Sequence, residues 1–368
     1  MPDPLNVVVT PRKGTIHTTR EASRSAPTAV LENILKPFGN LLIRPGKPEP
    51  AGSPELDPHK SVYEHCEVKH HQVAGINIYD ITALPKASTA HKQDAFLNSR
   101  SPSGAKHKHI YYFAGGGWQS PASSEHWKLC SRFAIAGAGE GDRGIATTVS
   151  LVSYPLAPNT PAPAALPLLE NMYHALFQAN PSSQDEEVIF AGDSSGANVA
   201  ICLLLHVLNT HPDAPAPQKV LLISPSVDFR KINPAIKEVE KHDPILNVDF
   251  VKSTARAWAG GGRGTKFEEP LPAGAFQYDD PRVSPLLADV TVLARRGIEV
   301  HGVLGTYDVL APDSVLFREK LNNAGVVGRW LEWEKQMHCF PLAASYGLPE
   351  GKKAVEWIIE TLGVRDPA

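Results

Sequence analysis

Residues Glu187-Val-Ile-Phe-Ala-Gly-Asp-Ser-Ser-Gly-Ala-Asn-Val-Ala200 decide the fold. An apolar run enters this stretch and an Ala/Leu-rich run leaves it. The first reads as a strand and the second as a helix. Between them stands Gly192-x-Ser194-x-Gly196, with small residues two before and two after a serine. Only small residues fit beside so tight a strand-to-helix turn. The turn lifts the hydroxyl out of the sheet toward a helix N-terminus, where free N–H groups and the dipole favour developing negative charge. Ser194 is therefore the candidate nucleophile.

Working outward, strand-like runs occur at 73–81, 109–113, 146–153, 187–191, 219–223, 298–304 and 330–333. Helical patterns fill 125–136, 164–178, 197–208 and 312–324, with a closing helix over 352–362. Such alternation predicts an α/β fold with a mainly parallel sheet and helices on both faces. Residues 1–27 are polar and Pro-punctuated and read as a flexible segment. Residues 28–60 carry an amphipathic pattern (Val30, Ile34, Leu35, Leu41, Leu42), broken at Pro37, and then a Pro/Gly-rich linker. The core is assigned to 61–227 and 279–368. Residues 228–278 interrupt the rhythm and read as a cap inserted at the carboxyl ends of the strands, where open α/β sheets bind ligands.

Three further segments carry chemistry. Ile110-Tyr-Tyr-Phe-Ala-Gly-Gly-Gly-Trp118 runs a strand into bare backbone that can present N–H groups to an oxyanion. Gly305-Thr-Tyr-Asp308 puts an acid at a strand's carboxyl end, and Met337-His-Cys-Phe340 follows the next strand. The order Ser194, Asp308, His338 is that of α/β-hydrolases. Histidine takes the serine proton and aspartate holds its tautomer. Asp313 is the alternative acid. A phosphate-binding loop is disfavoured because no Gly-Lys-Ser/Thr follows either glycine cluster.

Net charge is −3, which points to no nucleic-acid partner. No apolar run is long enough to span a membrane, and the N-terminus lacks a signal-peptide pattern. Four widely spaced cysteines make no disulfide framework, so a cytoplasmic location is expected. Cys202 and Cys339 read as buried thiols. Histidines near His65, His70, His71, His107 and His109 match no standard zinc spacing, so neither metal nor organic cofactor is expected. Trp118, Phe229, Phe250 and Trp258 are candidates to line an apolar pocket under the cap.

These residues resemble the hormone-sensitive lipase family, which includes bacterial esterases, plant carboxylesterases and arylacetamide deacetylases. The likeness rests on Ala114-Gly-Gly-Gly117, Tyr154-Pro-Leu-Ala-Pro158, Gly192-Asp-Ser-Ser-Gly-Ala-Asn198, His242-Asp-Pro244, Arg282-Val-Ser-Pro-Leu286, Asp308 and His338-Cys-Phe340. It implies an eight-stranded α/β-hydrolase sheet, a helical cap, and oxyanion donors at Gly116, Gly117 and Ser195. It further implies a monomer or homodimer that hydrolyses a small or medium ester, such as an acetyl ester or lactone of a natural product, through an acyl-enzyme. Acyl transfer, a lyase or cyclase reaction with the same triad, and a non-catalytic small-molecule receptor are the alternatives. Two positions depart from the family pattern: Ala114 stands where a histidine is usual, and Pro312 stands where a second aspartate is usual.

Overall fold

The computed structural model describes residues 15–39, 46–85, 107–138, 145–179 and 186–365. The chain opens with β1 (Ile16–Glu21) and α1 (Ala26–Leu35), then forms the hairpin β2 (Cys66–Val73) and β3 (Ile76–Ala83). Next come β4 (His107–Phe113), α2 (Ser124–Gly137), β5 (Thr147–Ser153), α3 (Ala162–Ala179), β6 (Glu186–Asp193), α4 (Ser194–Thr210) and β7 (Lys219–Ile223). The insertion holds α5 (Ile236–Glu240) and α6 (Val248–Arg256). The chain ends with α7 (Thr291–Arg295), β8 (Glu299–Tyr307), α8 (Ala311–Asn323), β9 (Gly328–Met337) and α9 (Pro349–Thr361).

The strands make one sheet in the order β1-β9-β8-β7-β6-β4-β5-β3-β2, parallel except where β3 pairs with β2 and with β5. Side chains alternate across it. Tyr111, Phe113, Val220 and Leu222 pack on one face with α3, α4 and α8, while Ile110, Tyr112, Leu221 and Ile223 pack on the other with α2 and α9. Each large apolar side chain buried this way contributes roughly 1.5–3 kcal/mol.

The sheet has nine strands among the described residues, not eight. The extra one is β1, which falls within the segment read as flexible. It pairs in parallel with β9 from Ile16↔Gly328 to Glu21↔Trp333. Its sequence, Ile-His-Thr-Thr-Arg-Glu, leaves half its residues exposed and none buried at the sheet edge, so it shows no apolar run. The run read as one strand over 73–81 is instead a hairpin turn and β3. Ala74 (φ 48°) and Gly75 (φ 81°) both adopt positive φ, as a two-residue primed turn requires. Its partner β2 is largely polar because it too is an edge.

The amphipathic N-terminal segment forms α1, capped by Ser25 and docked on the start of α9: Ser25 Oγ donates to Glu350 at 3.0 Å. Leu41 and Leu42 lie outside the described residues. Lys36 donates to the Lys241 carbonyl, and Gly39 lies against the Pro244 and Ile245 carbonyls, so this segment meets the insertion.

Sequence neighbours β4, β5 and β6 reverse direction across the sheet: β5 lies on one side of β4 and β6 on the other. Such a reversal opens a crevice at the carboxyl ends of β4 and β6. Phe113 pairs with Gly192 there, so the glycine loop and the serine turn leave the sheet side by side.

Candidate active site

Ser194 stands at the junction of β6 and α4 with φ 52°, a conformation rarely held by a non-glycine residue. Its neighbours explain how this is tolerated. A Cβ on Gly192 would lie 2.7 Å from the Phe113 carbonyl oxygen, and one on Gly196 only 2.0 Å from it. Bare backbone at both positions lets α4 pack against β4 and fixes the serine above the sheet.

His338 follows β9 directly, and Cys339 takes a left-handed φ of 51° that turns the chain. His338 Nε2 lies 2.9 Å from Ser194 Oγ. His338 Nδ1 lies 2.8 Å from Asp308 Oδ2, and Asp308 is fully buried at the exit of β8. The Leu310 N–H donates to Asp308 Oδ1 at 2.8 Å. A Cβ on Gly305 would meet the Gln336 carbonyl at 2.3 Å, so bare backbone there lets β9 bend close over β8. Asp313, the alternative acid, sits in α8 and faces Lys231 Nζ at 3.7 Å, not His338. Pro312 occupies the first turn of α8, where a missing N–H costs nothing.

The loop after β4 brings Gly115 against the serine: a Cβ there would lie 3.0 Å from Ser194 Cβ. Gly116 (φ 145°) and Gly117 (φ 61°) follow, and their N–H groups donate to no acceptor among the described residues. Ser195 follows Ser194 at the start of α4. A hydroxyl, an imidazole and a carboxylate thus stand in one chain of contacts beside a glycine loop, an arrangement able to carry out acyl transfer.

Residues 110–342 match the family described as α/β hydrolase fold. The chain belongs to that family. An esterase of Acinetobacter venetianus is 30% identical over 209 residues, which is 57% of this chain and 62% of that one. The chain therefore spans under two thirds of the length of this curated relative. A hormone-sensitive lipase from a metagenome library shares the fold at TM-score 0.66 and 20% identity, covering 92% of this chain and 98% of that one. The structure of EstE5, soaked with p-nitrophenyl butyrate, matches at TM-score 0.64 and 20% identity over 92% and 97%.

Several supports of this α/β-hydrolase site escaped the sequence reading. Asp193 is buried beside Ser194. Its Oδ1 accepts from Tyr112 Oη at 2.8 Å and Gly115 N–H at 3.0 Å, and its Oδ2 faces His126 Nε2 at 3.2 Å. Ser123 N–H donates to His126 Nδ1 at 2.9 Å, so the ring proton sits on Nε2 and is given to Asp193. Burial opposes the charge on Asp193, but His126, Gly115 N–H and Tyr112 outweigh it and hold the carboxyl below its ordinary range. Tyr154 Oη donates to the Ala114 carbonyl at 2.8 Å. The loop is thus held from both sides although Ala114 itself supplies no polar side chain.

Asp243, in the His242-Asp-Pro244 signature, accepts from the N–H groups of Ile245, Leu246 and Val309 at 2.8, 2.8 and 2.9 Å. It locks the insertion to the turn that carries Asp308. Burial and then the nearby Asp308 charge push its carboxyl up to about 7. Asn198 donates to the Ser226 and Val283 carbonyls, joining the serine helix to both ends of the insertion. Asp193, Tyr154, Asp243 and Asn198 each lie inside a family signature, which names no role, and His126 lies in none.

Three of the four pocket candidates pack together. Trp118 meets Phe229 edge-on at 5.0 Å and stacks with Trp258 at 6.2 Å, all buried. Phe250 stands apart from them, on α6. It lies with Thr254 over Gly117, where a Cβ would meet Thr254 Cγ2 at 3.0 Å and Phe250 Cζ at 3.7 Å. The insertion therefore covers the glycine loop.

Burial disfavours a charged His338, yet Asp308 outweighs it and holds the imidazole well above its ordinary value. Burial pushes the Cys339 thiol up to about 12, so it stands neutral beside His338 Nε2 at 3.4 Å. Cys66, Cys130, Cys202 and Cys339 are all buried free thiols. Among the described residues no helix is long and apolar enough to cross a membrane.

Proposed function

We propose that this protein is a serine carboxylic-ester hydrolase, with Ser194 as nucleophile, His338 as base and Asp308 as orienting acid. The observation that carries the reading is the unbroken contact chain Ser194 Oγ, His338 Nε2, His338 Nδ1, Asp308 Oδ2 at 2.9 and 2.8 Å. Ser194 Oγ attacks the ester carbonyl while its proton passes to His338 Nε2. The oxyanion is met by the N–H groups of Gly116, Gly117 and Ser195. Collapse expels the alcohol, which takes the proton from His338. Water, deprotonated by His338, then attacks the acyl-enzyme; the acid leaves and Ser194 regains its proton.

The covered glycine loop and the buried wall of Trp118, Phe229 and Trp258 suit a small or medium ester, an acetyl ester or lactone of a natural product among them. The test is turnover of p-nitrophenyl esters of increasing acyl length by the native chain and by Ser194→Ala. The substitution is expected to lower kcat roughly 10³-fold or more. Equal inactivity of both proteins toward every ester would overturn the reading.

A further inference from the structure

Three histidines converge on one carboxylate far from Ser194. Glu170 and His174 stand one turn apart on α3, His206 lies on α4, and His211 follows its end. Glu170 Oε1 is 4.0 Å from His174 Nε2 and 3.8 Å from His211 Nε2, while its Oε2 is 3.6 Å from His206 Nε2. The Glu170, His174 and His211 donor atoms all lie within 4.8 Å of one another. Along α4, His206 is about 18 Å from the serine.

These separations are too long for hydrogen bonds. They are close to what a shared ion needs: tetrahedral zinc with bonds of about 2.0–2.2 Å sets its ligands roughly 3.4 Å apart. The other convergent pair behaves differently. His107 and His109 reach Glu186 at 3.2 and 3.3 Å, and their second nitrogens reach Thr148 and Ser150 hydroxyls, so both ring nitrogens are engaged.

We propose that Glu170, His174 and His211 bind a zinc-class divalent cation, with His206 beside the second oxygen of Glu170. Imidazole and carboxylate donors suit zinc and its borderline neighbours. All four groups are partly exposed, at 26, 35, 20 and 58% for Glu170, His174, His206 and His211, so an ion can enter from solvent. The ion would clip α3 to α4, helices that otherwise meet through apolar side chains. Sequence spacing hides the site because its ligands come from two helices brought together by the sheet.

The test is zinc chloride titration of the tag-free, chelator-stripped full chain, followed by calorimetry, with Co²⁺ absorption as a geometric probe. Native protein is expected to bind zinc and to melt about 3–5 °C higher at a hundredfold excess over Kd. Glu170→Gln and the double variant His174→Ala/His211→Ala should each lose one equivalent of zinc and the thermal shift. Both should keep native circular dichroism and native Ser194-dependent turnover. Either of two results overturns the proposal: no saturable zinc binding tighter than about 100 µM by the native chain, or a stoichiometry unchanged in both variants.

Discussion

Asp193 Oδ1 accepts the N–H of Gly115 at 3.0 Å, which joins the residue before Ser194 to the glycine loop that follows β4. The same carboxylate takes Tyr112 Oη, and His126 comes to it from α2. One buried anion thus ties the serine turn to the glycine loop and to α2. Where the family pattern usually has a histidine at 114, this chain has Ala114, and the restraint on the loop passes through Asp193 and Tyr154 instead.

Asp193→Asn is therefore expected to act on the reaction more than on binding. The amide oxygen can still accept from Gly115 and Tyr112, but its NH2 would then face the His126 N–H, so the three contacts cannot all be kept and the loop must shift. A loop shifted by even an ångström costs up to about 10²-fold in kcat. Steady-state kinetics with p-nitrophenyl butyrate should show kcat falling and KM nearly constant. A rise in KM alone would contradict the positioning role.

His126→Ala removes the donor to Asp193 Oδ2 from a buried site. A charged oxygen left short of donors costs about 1–3 kcal/mol. Urea unfolding should show a lower midpoint with an unchanged slope. His126→Gln, which can still donate an N–H, should recover part of the loss.

The two candidate acids separate by mutation. Asp308→Asn should lower kcat by about 10⁴-fold, since the amide favours the wrong imidazole tautomer. Asp313→Asn should change kcat far less, because Asp313 faces Lys231 and not His338. A larger loss from Asp313→Asn would move the acid assignment.

The pH profile follows from His338. The ring works as a base only when neutral, and Asp308 raises its pKa well above the ordinary value. The protonated, inactive form therefore persists to higher pH than for an exposed histidine. The acid limb of kcat/KM, which reports the free protein, should lie above about 6.5. An acid limb at or below that value would show that burial outweighs the carboxylate.

Gly196→Ala tests the turn itself. The added Cβ would sit 2.0 Å from the Phe113 carbonyl oxygen, against backbone that cannot swing aside. The variant should lose both activity and several kcal/mol of stability, on the scale of severe core strain of about 4–5 kcal/mol. A stable, active variant would mean that β4 and α4 pack less closely than described.

Local order was legible wherever a segment is buried on both sides. The runs at β4, β5, β6, β7 and β8 are apolar because helices cover both faces of the sheet, and their turns need glycine for steric reasons that act within a few residues. Hence Ser194, Asp308 and His338, which the fold brings into contact, could be named as candidates from residue type, order and spacing. Edge elements were not legible. β1 and β2 expose polar side chains, and their strand state depends on hydrogen bonds to β9 and β3, not on their own pattern. Nor could sequence choose among groups that meet only in space. That Asp193 receives Gly115 and His126, and that Phe250 leaves the aromatic cluster to cover Gly117, are consequences of packing across hundreds of residues. The sequence by itself determined an α/β sheet with a serine turn at its centre, because turn sterics and apolar periodicity are local. Tertiary structure decided which donors surround Asp193 and which residues of the insertion lie over the glycine loop, because hydrogen bonds act over about 3 Å and only the folded chain brings those atoms that close.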